Sequence, residues 1–144
     1  MKKGFTVLEI IIATGLSAIL IIWISYVFLM YNSYYKTSTE KYRETIYCTE
    51  ALMFIEDEIN NSNNVTVTNN TVELTEAEGN NKNYIYQKNN SIVIAYKVND
   101  DIKAVNKVIN NIKDFYVIQK EKTIYVTLIN NNGVKYERCF GVRI

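Results

Sequence analysis

Few residues of this chain have the type and spacing to do chemistry. Glu9 stands at the entrance to a run from Ile10 to Tyr31, 22 residues without a charge. An unpaired carboxylate deep in hydrocarbon costs on the order of 3 kcal/mol or more. Glu9 therefore either sits at headgroup level, where a charge is nearly free, or meets a cation that cancels it. Glu56, Asp57 and Glu58 in "FIEDEIN" form a second set, and paired carboxylates are the raw material of general acid–base hydrolysis. Consecutive residues of a helix point in different directions, so these three form no facing pair and read as a solvated helix end.

Cys48 and Cys139 are the third set. Two thiols do not make a zinc site, which takes four protein ligands or three plus water. The sequence has no His, so the commonest general base and the commonest metal ligand are both missing. A disulfide remains open. Outside the cell the bond can persist, and closing a loop of about 90 residues would stabilise by roughly 4–5 kcal/mol in the chain-entropy model. Strand alternation argues the other way: it puts Val134, Tyr136, Phe140 and Val142 on one face and Cys139 on the other, unless a bulge near Arg138 shifts the register. No Gly-rich phosphate loop or catalytic triad pattern occurs. The expectation is a protein without enzymatic activity, metal or cofactor.

The elements that must position these residues begin with the apolar run. In 144 residues with a net charge of +1 there is at most one domain's worth of chain and no strong global field for nucleic acid or acidic partners. A 22-residue helix spans roughly 33 Å, enough to cross a bilayer once. Lys2 and Lys3 precede it and place the N-terminus in the cytoplasm. A removable secretory signal has an apolar stretch of only about 7–15 residues followed by a small-residue cleavage site. Here the run is longer and no such site follows.

The residues around Glu9 carry a family resemblance. "KKGFTVLE" resembles the processing motif of type IV pilins and pseudopilins: basic residues, Gly, a cleavage point, an aromatic first mature residue, and Glu at the fifth mature position. The resemblance implies cleavage by prepilin peptidase between Gly4 and Phe5, N-methylation of the Phe5 amine, and a role for Glu9 in assembly register. A freed α-amino group is cationic at neutral pH, with a reference pKa of about 8. A carboxylate on an adjacent subunit can neutralise it, and a buried pair tolerates hydrocarbon better than either charge alone.

No Pro occurs, and nothing breaks the chain between Gly15 and Asn60, so one helix from Phe5 to Ile59, roughly 80 Å long, is expected. Its outer half is amphipathic: Cys48, Leu52, Ile55 and Ile59 share one face, and Arg43, Glu50 and Asp57 the opposite one. Tyr42, Ile46, Tyr47, Met53 and Phe54 flank that stripe, as a wide core-facing band or as contacts to neighbouring subunits. Tyr26, Tyr31, Tyr34 and Tyr35 suit an interfacial aromatic belt.

Beyond Asn60 short strands alternate with Asn and Gly turns: "NVTVT", "TVELT", a hairpin turning at Asn89 and Asn90, and a final stretch in which Tyr116, Ile118, Ile124, Val126 and Leu128 alternate before the turn signal "NNNG". "DIKAVNKVINNI" reads as a short helix or a loop edge. The fold class expected is α+β and pilin-like, a long N-terminal helix packed on a C-terminal antiparallel sheet. Residues 1–4 are a leader, 5–31 the transmembrane half of the helix, 32–60 its amphipathic half, and 61–144 an extracytoplasmic β-rich head. Over about half the chain the pattern also resembles minor pseudopilins of the J or W type and the F-type pseudopilin of Gram-positive competence systems.

The resemblance implies a structural subunit that starts as a single-pass protein of the cytoplasmic membrane and ends in a cell-surface filament, in a priming or tip complex. Its partners would be prepilin peptidase, other pilin or pseudopilin subunits and the pilus assembly platform. The alternatives are a tip-located pilin that binds a ligand or DNA, and a plain single-span anchored domain. For DNA, Lys82, Lys88, Lys97, Lys103, Lys107, Lys113, Lys120 and Lys122 are numerous, but acids are interspersed and no basic stripe with aromatics stands out.

Overall fold

In a computed structural model, residues 6–75, 81–99 and 101–141 are described. The chain divides into two compact units, Met1–Arg43 and Glu44–Ile144, each taken by itself below. One α-helix, α1 (Val7–Asn60), runs through the boundary. It starts two residues later and ends one residue later than the sequence suggests, a difference within ordinary end fraying.

In the first unit every described residue up to Tyr35 is exposed, including Ile11, Leu20, Trp23 and Phe28. This is the one described helix long and apolar enough to cross a membrane. Its few hydroxyls turn back on their own helix: Thr14 Oγ1 donates to the Ile10 carbonyl at 2.9 Å, Ser17 Oγ to Ala13 at 2.7 Å and Ser25 Oγ to Ile21 at 2.8 Å. Such bonds let polar side chains sit in an apolar medium without an unmet partner. Tyr31 and Tyr35 stack with ring centroids 6.3 Å apart.

In the second unit the last part of α1 buries Cys48, Ala51, Leu52, Ile55 and Ile59, the stripe expected with Ala51 added. Tyr42 of the first unit and Tyr47, Met53 and Phe54 of the second are exposed, while Ile46 is half-buried, so of the flanking residues only Ile46 widens the core-facing band within the chain.

The strands make two antiparallel sheets rather than one. The first holds β1 (Asn64–Thr68), β2 (Thr71–Thr75), β3 (Lys82–Lys88), β4 (Ser91–Val98) and β5 (Asp101–Asn110) in that order. The second holds β6 (Ile112–Lys120), β7 (Thr123–Asn130) and β8 (Lys135–Gly141). One apolar cluster joins the helix stripe to Val72, Leu74, Ile85 and Ile94 of the first sheet and to Phe115, Val117, Ile124, Val126, Leu128 and Phe140 of the second.

Asparagine makes these turns possible. Asn69, Asn70, Asn89, Asn99 and Asn111 all have positive φ, a region that Asn tolerates better than most residues because its short amide bonds locally. Asn69 and Asn70 together close the two-residue loop between β1 and β2, and Asn89 begins the turn between β3 and β4. In "NNNG" the left-handed residue is Gly133, at φ 79°.

The segment read as a short helix or a loop edge is a ten-residue strand, β5. It pairs with β4 along its length, but Ile92 and Val93 face Ile109 and Lys107, and Tyr96 and Lys97 face Ala104 and Ile102. Val108 and Lys103 are therefore inserted residues, and each bulge shifts the side-chain alternation by one. A similar shift between Ile112 and Asp114 sets β6 so that Phe115 and Val117 face the core, while Tyr116 and Ile118 point out. The alternation of Tyr116 and Ile118 is real, but it belongs to the outer face.

Candidate functional site

Gly4 and Phe5 lie outside the described residues. Glu9 lies in the first turn of α1, exposed, and its carboxylate serves the helix start. The Thr6 backbone N–H donates to Glu9 Oε2 at 2.8 Å and Thr6 Oγ1 donates to the same oxygen at 3.0 Å, while the Glu9 N–H donates to Thr6 Oγ1 at 3.3 Å. This reciprocal arrangement is a capping box, in which an N-terminal Thr and a Glu three residues later satisfy each other's backbone donors. The signal lies in the sequence as "TVLE", and a reading of Glu9 only as a charge near a membrane overlooks it. Glu9 thus has an intrachain use as well as the intermolecular one that the motif implies.

The two cysteines have opposite environments. Cys48 is buried in the helix stripe and Cys139 is exposed on β8, and both are free thiols. On β8 Phe140 is buried and Cys139 pairs with Tyr125 on the outward face. Burial, and then the negative charge of Glu44, push the Cys48 thiol up from its ordinary value of 9.0 to about 11. Because the folded state holds this proton more tightly than the unfolded chain, the linked stability is fully present below pH 9 and is lost as the pH rises toward about 11. Two expectations follow. The wild-type chain should lose about 2–3 kcal/mol of stability to urea between those pH values, and Cys48→Ala should remove that loss. A water-soluble maleimide should label only Cys139 in the native chain and both thiols in denaturant; no labelling in either state would instead show the two joined.

The helix is keyed to the sheets by polar side chains. Glu44 accepts from Asn130 Nδ2 at 3.1 Å and from Asn132 Nδ2 at 2.9 Å, and Asn130 Oδ1 accepts the Val134 N–H at 2.8 Å. Asn130 is one of the few buried polar residues, so this bonding removes a desolvation cost of about 1–3 kcal/mol. Arg138 pairs with Glu56 at 3.0 Å and the Tyr96 hydroxyl donates to Glu58 at 3.4 Å. Glu56 and Glu58 are thus engaged with different strands. Gln87 ties the sheets to each other: its Nε2 donates to the Lys113 carbonyl at 2.9 Å and its Oε1 accepts the Phe115 N–H at 3.0 Å.

Beside α1 a groove of about 860 Å³ opens toward β5, lined among others by Tyr47, Ala51, Phe54, Tyr96 and Val108. Its volume is in the range of small-molecule sites. The chemistry legible at the N-terminus is of another kind, a charge held at the end of an apolar helix. Compared with models of known protein families and with curated proteins, the chain matches none.

Proposed function

We propose that the chain is a structural subunit, a minor pilin or pseudopilin, of a type IV pilus-like filament system. One combination carries this reading: the run "KKGFTVLE" placed directly on a helix that continues without a break from Val7 to Asn60, its apolar half exposed throughout. A membrane anchor alone does not need 54 helical residues, since about 20 cross a bilayer. A subunit that leaves the membrane and stacks its helix against others uses the full length, and adds to the capping role of Glu9 a use for its charge. In this reading prepilin peptidase cuts between Gly4 and Phe5, the Phe5 amine is methylated, and Glu9 of one subunit neutralises that amine on the next. The head, from Glu44 onward, is carried outside the cytoplasmic membrane.

The test is the intact mass and N-terminal residue of the full chain expressed with and without a prepilin peptidase. The expected result is a peptidase-dependent loss of Met1 to Gly4, leaving Phe5 with or without a methyl group. An unchanged N-terminus in both cultures would leave a single-span anchored protein and remove the basis for a fibre role.

A further inference from the structure

Register on the first sheet gathers side chains that the linear sequence scatters. Directly opposed residues of an antiparallel pair share a face. Tyr84 and Tyr86 of β3 stand opposite Ala95 and Val93, Lys82 opposite Lys97, Lys88 opposite Ser91, and Lys107 of β5 opposite Val93. Four lysines and two tyrosines therefore share the face turned away from α1, since the alternate residues Ile85, Ile92 and Ile94 belong to the core cluster. Among the described residues the carboxylate that register adds to this face is Glu73, opposite Tyr84 and 2.7 Å from Lys82. Bulges in β5 hid this arrangement, because the one at Val108 decides that Lys107 joins Val93 and not the core side.

Two features of this face suit an anion that carries aromatic groups. Lys82 and Lys97 are directly opposed across β3 and β4, and Glu73 offsets one of these two charges, so the pair keeps a net positive charge. The Lys97 ammonium stands 4.5 Å from the centroid of the Tyr84 ring, a cation placed on an aromatic plane. Val93 and Ala95 are small and buried beneath these neighbours, so the face is flat rather than concave. Tyr84 and Tyr86, two residues apart on one strand, are spaced by about 6.8 Å. Rings at that interval, flanked by cations at both ends, match a chain of aromatic bases on a phosphate backbone.

We propose that this open face of the first sheet binds single-stranded nucleic acid, with Tyr84 and Tyr86 stacking on successive bases and Lys82, Lys88, Lys97 and Lys107 taking phosphates. Antiparallel sheets with aromatics on an open face are a known platform for single strands. Duplex is the poorer fit, because its bases are already stacked and a flat face enters neither groove. The face is independent of how the N-terminus is processed.

The test uses the full chain in nonionic detergent micelles and a fluorescein-labelled oligothymidylate, read by anisotropy between about 50 and 200 mM salt. The expected result is saturable binding that weakens with salt. Replacing Tyr84 and Tyr86 together by Ala should weaken it tenfold or more, with the salt slope unchanged, while the Tyr84→Phe, Tyr86→Phe pair keeps the rings and the affinity. Lys97→Gln with Lys107→Gln should lower the salt slope by about 1.4, two phosphate contacts' worth. Absence of saturable binding at the lowest salt would overturn the proposal. So would duplex or inorganic polyphosphate binding as tightly as the oligonucleotide, or tyrosine-to-alanine variants that bind within twofold of wild type.

Discussion

If the chain is the filament subunit proposed, Glu9→Gln should be cleaved by prepilin peptidase as readily as the wild type and then largely fail to enter a fibre. Two roles compete for this residue, and glutamine separates them. In the capping box Glu9 accepts from the Thr6 N–H and hydroxyl, and Gln fills the same place because either residue suits the third helical position. As the counter-charge to a Phe5 amine on a neighbouring subunit, only the carboxylate serves. Losing a cap costs about 1 kcal/mol. Leaving an ammonium buried without its partner costs about 3–5 kcal/mol, more than a hundredfold in an assembly equilibrium. Thr6→Ala, which spoils the cap and spares the charge, should accordingly reduce incorporation only several-fold. The measurement is the fraction of cleaved chain in sheared filaments from cells carrying each variant. Normal incorporation of Glu9→Gln would reduce Glu9 to a capping residue.

Ile55→Ala should be the most damaging conservative truncation in the head, at about 2–5 kcal/mol. Ile55 is fully buried in the helix stripe, within the cluster that both sheets share, so a cavity there loosens the helix from two layers at once. Against a total stability of roughly 5–15 kcal/mol for a domain, that is a large share. Asp57→Ala, one turn face away and exposed, should stay within about 0.5 kcal/mol. The sole tryptophan, Trp23, lies in the apolar segment outside this unit, so the better reporter is amide hydrogen exchange of β3 and β4. Protection there should fall in Ile55→Ala and be retained in Asp57→Ala.

How legible this protein is from its sequence depends on the period of each segment. The helix stripe from Cys48 to Ile59 and the strands around Val72 and Val126 keep a clean period, and each buries the residues that its spacing indicates. β5 does not: two inserted residues scramble its alternation, so it reads as neither strand nor helix until β4 is laid beside it. The split into two sheets is equally hidden, because it turns on Asn111 adopting positive φ between β5 and β6, one asparagine among many. At the N-terminus the charge of Glu9 was conspicuous and its bond to Thr6 was not, although both are written in four residues. The tyrosine and lysine face of the first sheet is a product of register alone, and register is a property of pairs of strands.

The order of strands carries a consequence for timing. Every strand in both sheets pairs with its neighbour in the chain, β1 through β5 and then β6 through β8. Loop-closure entropy is therefore small at each step, and topologies dominated by local contacts fold quickly. The sequence has no proline, so no prolyl isomerisation of tens of seconds can stall the process. A head that is synthesised residue by residue can close each hairpin as its second strand appears, in microseconds. It need not wait for its last residue, and little unpaired strand is left exposed to entangle with other chains.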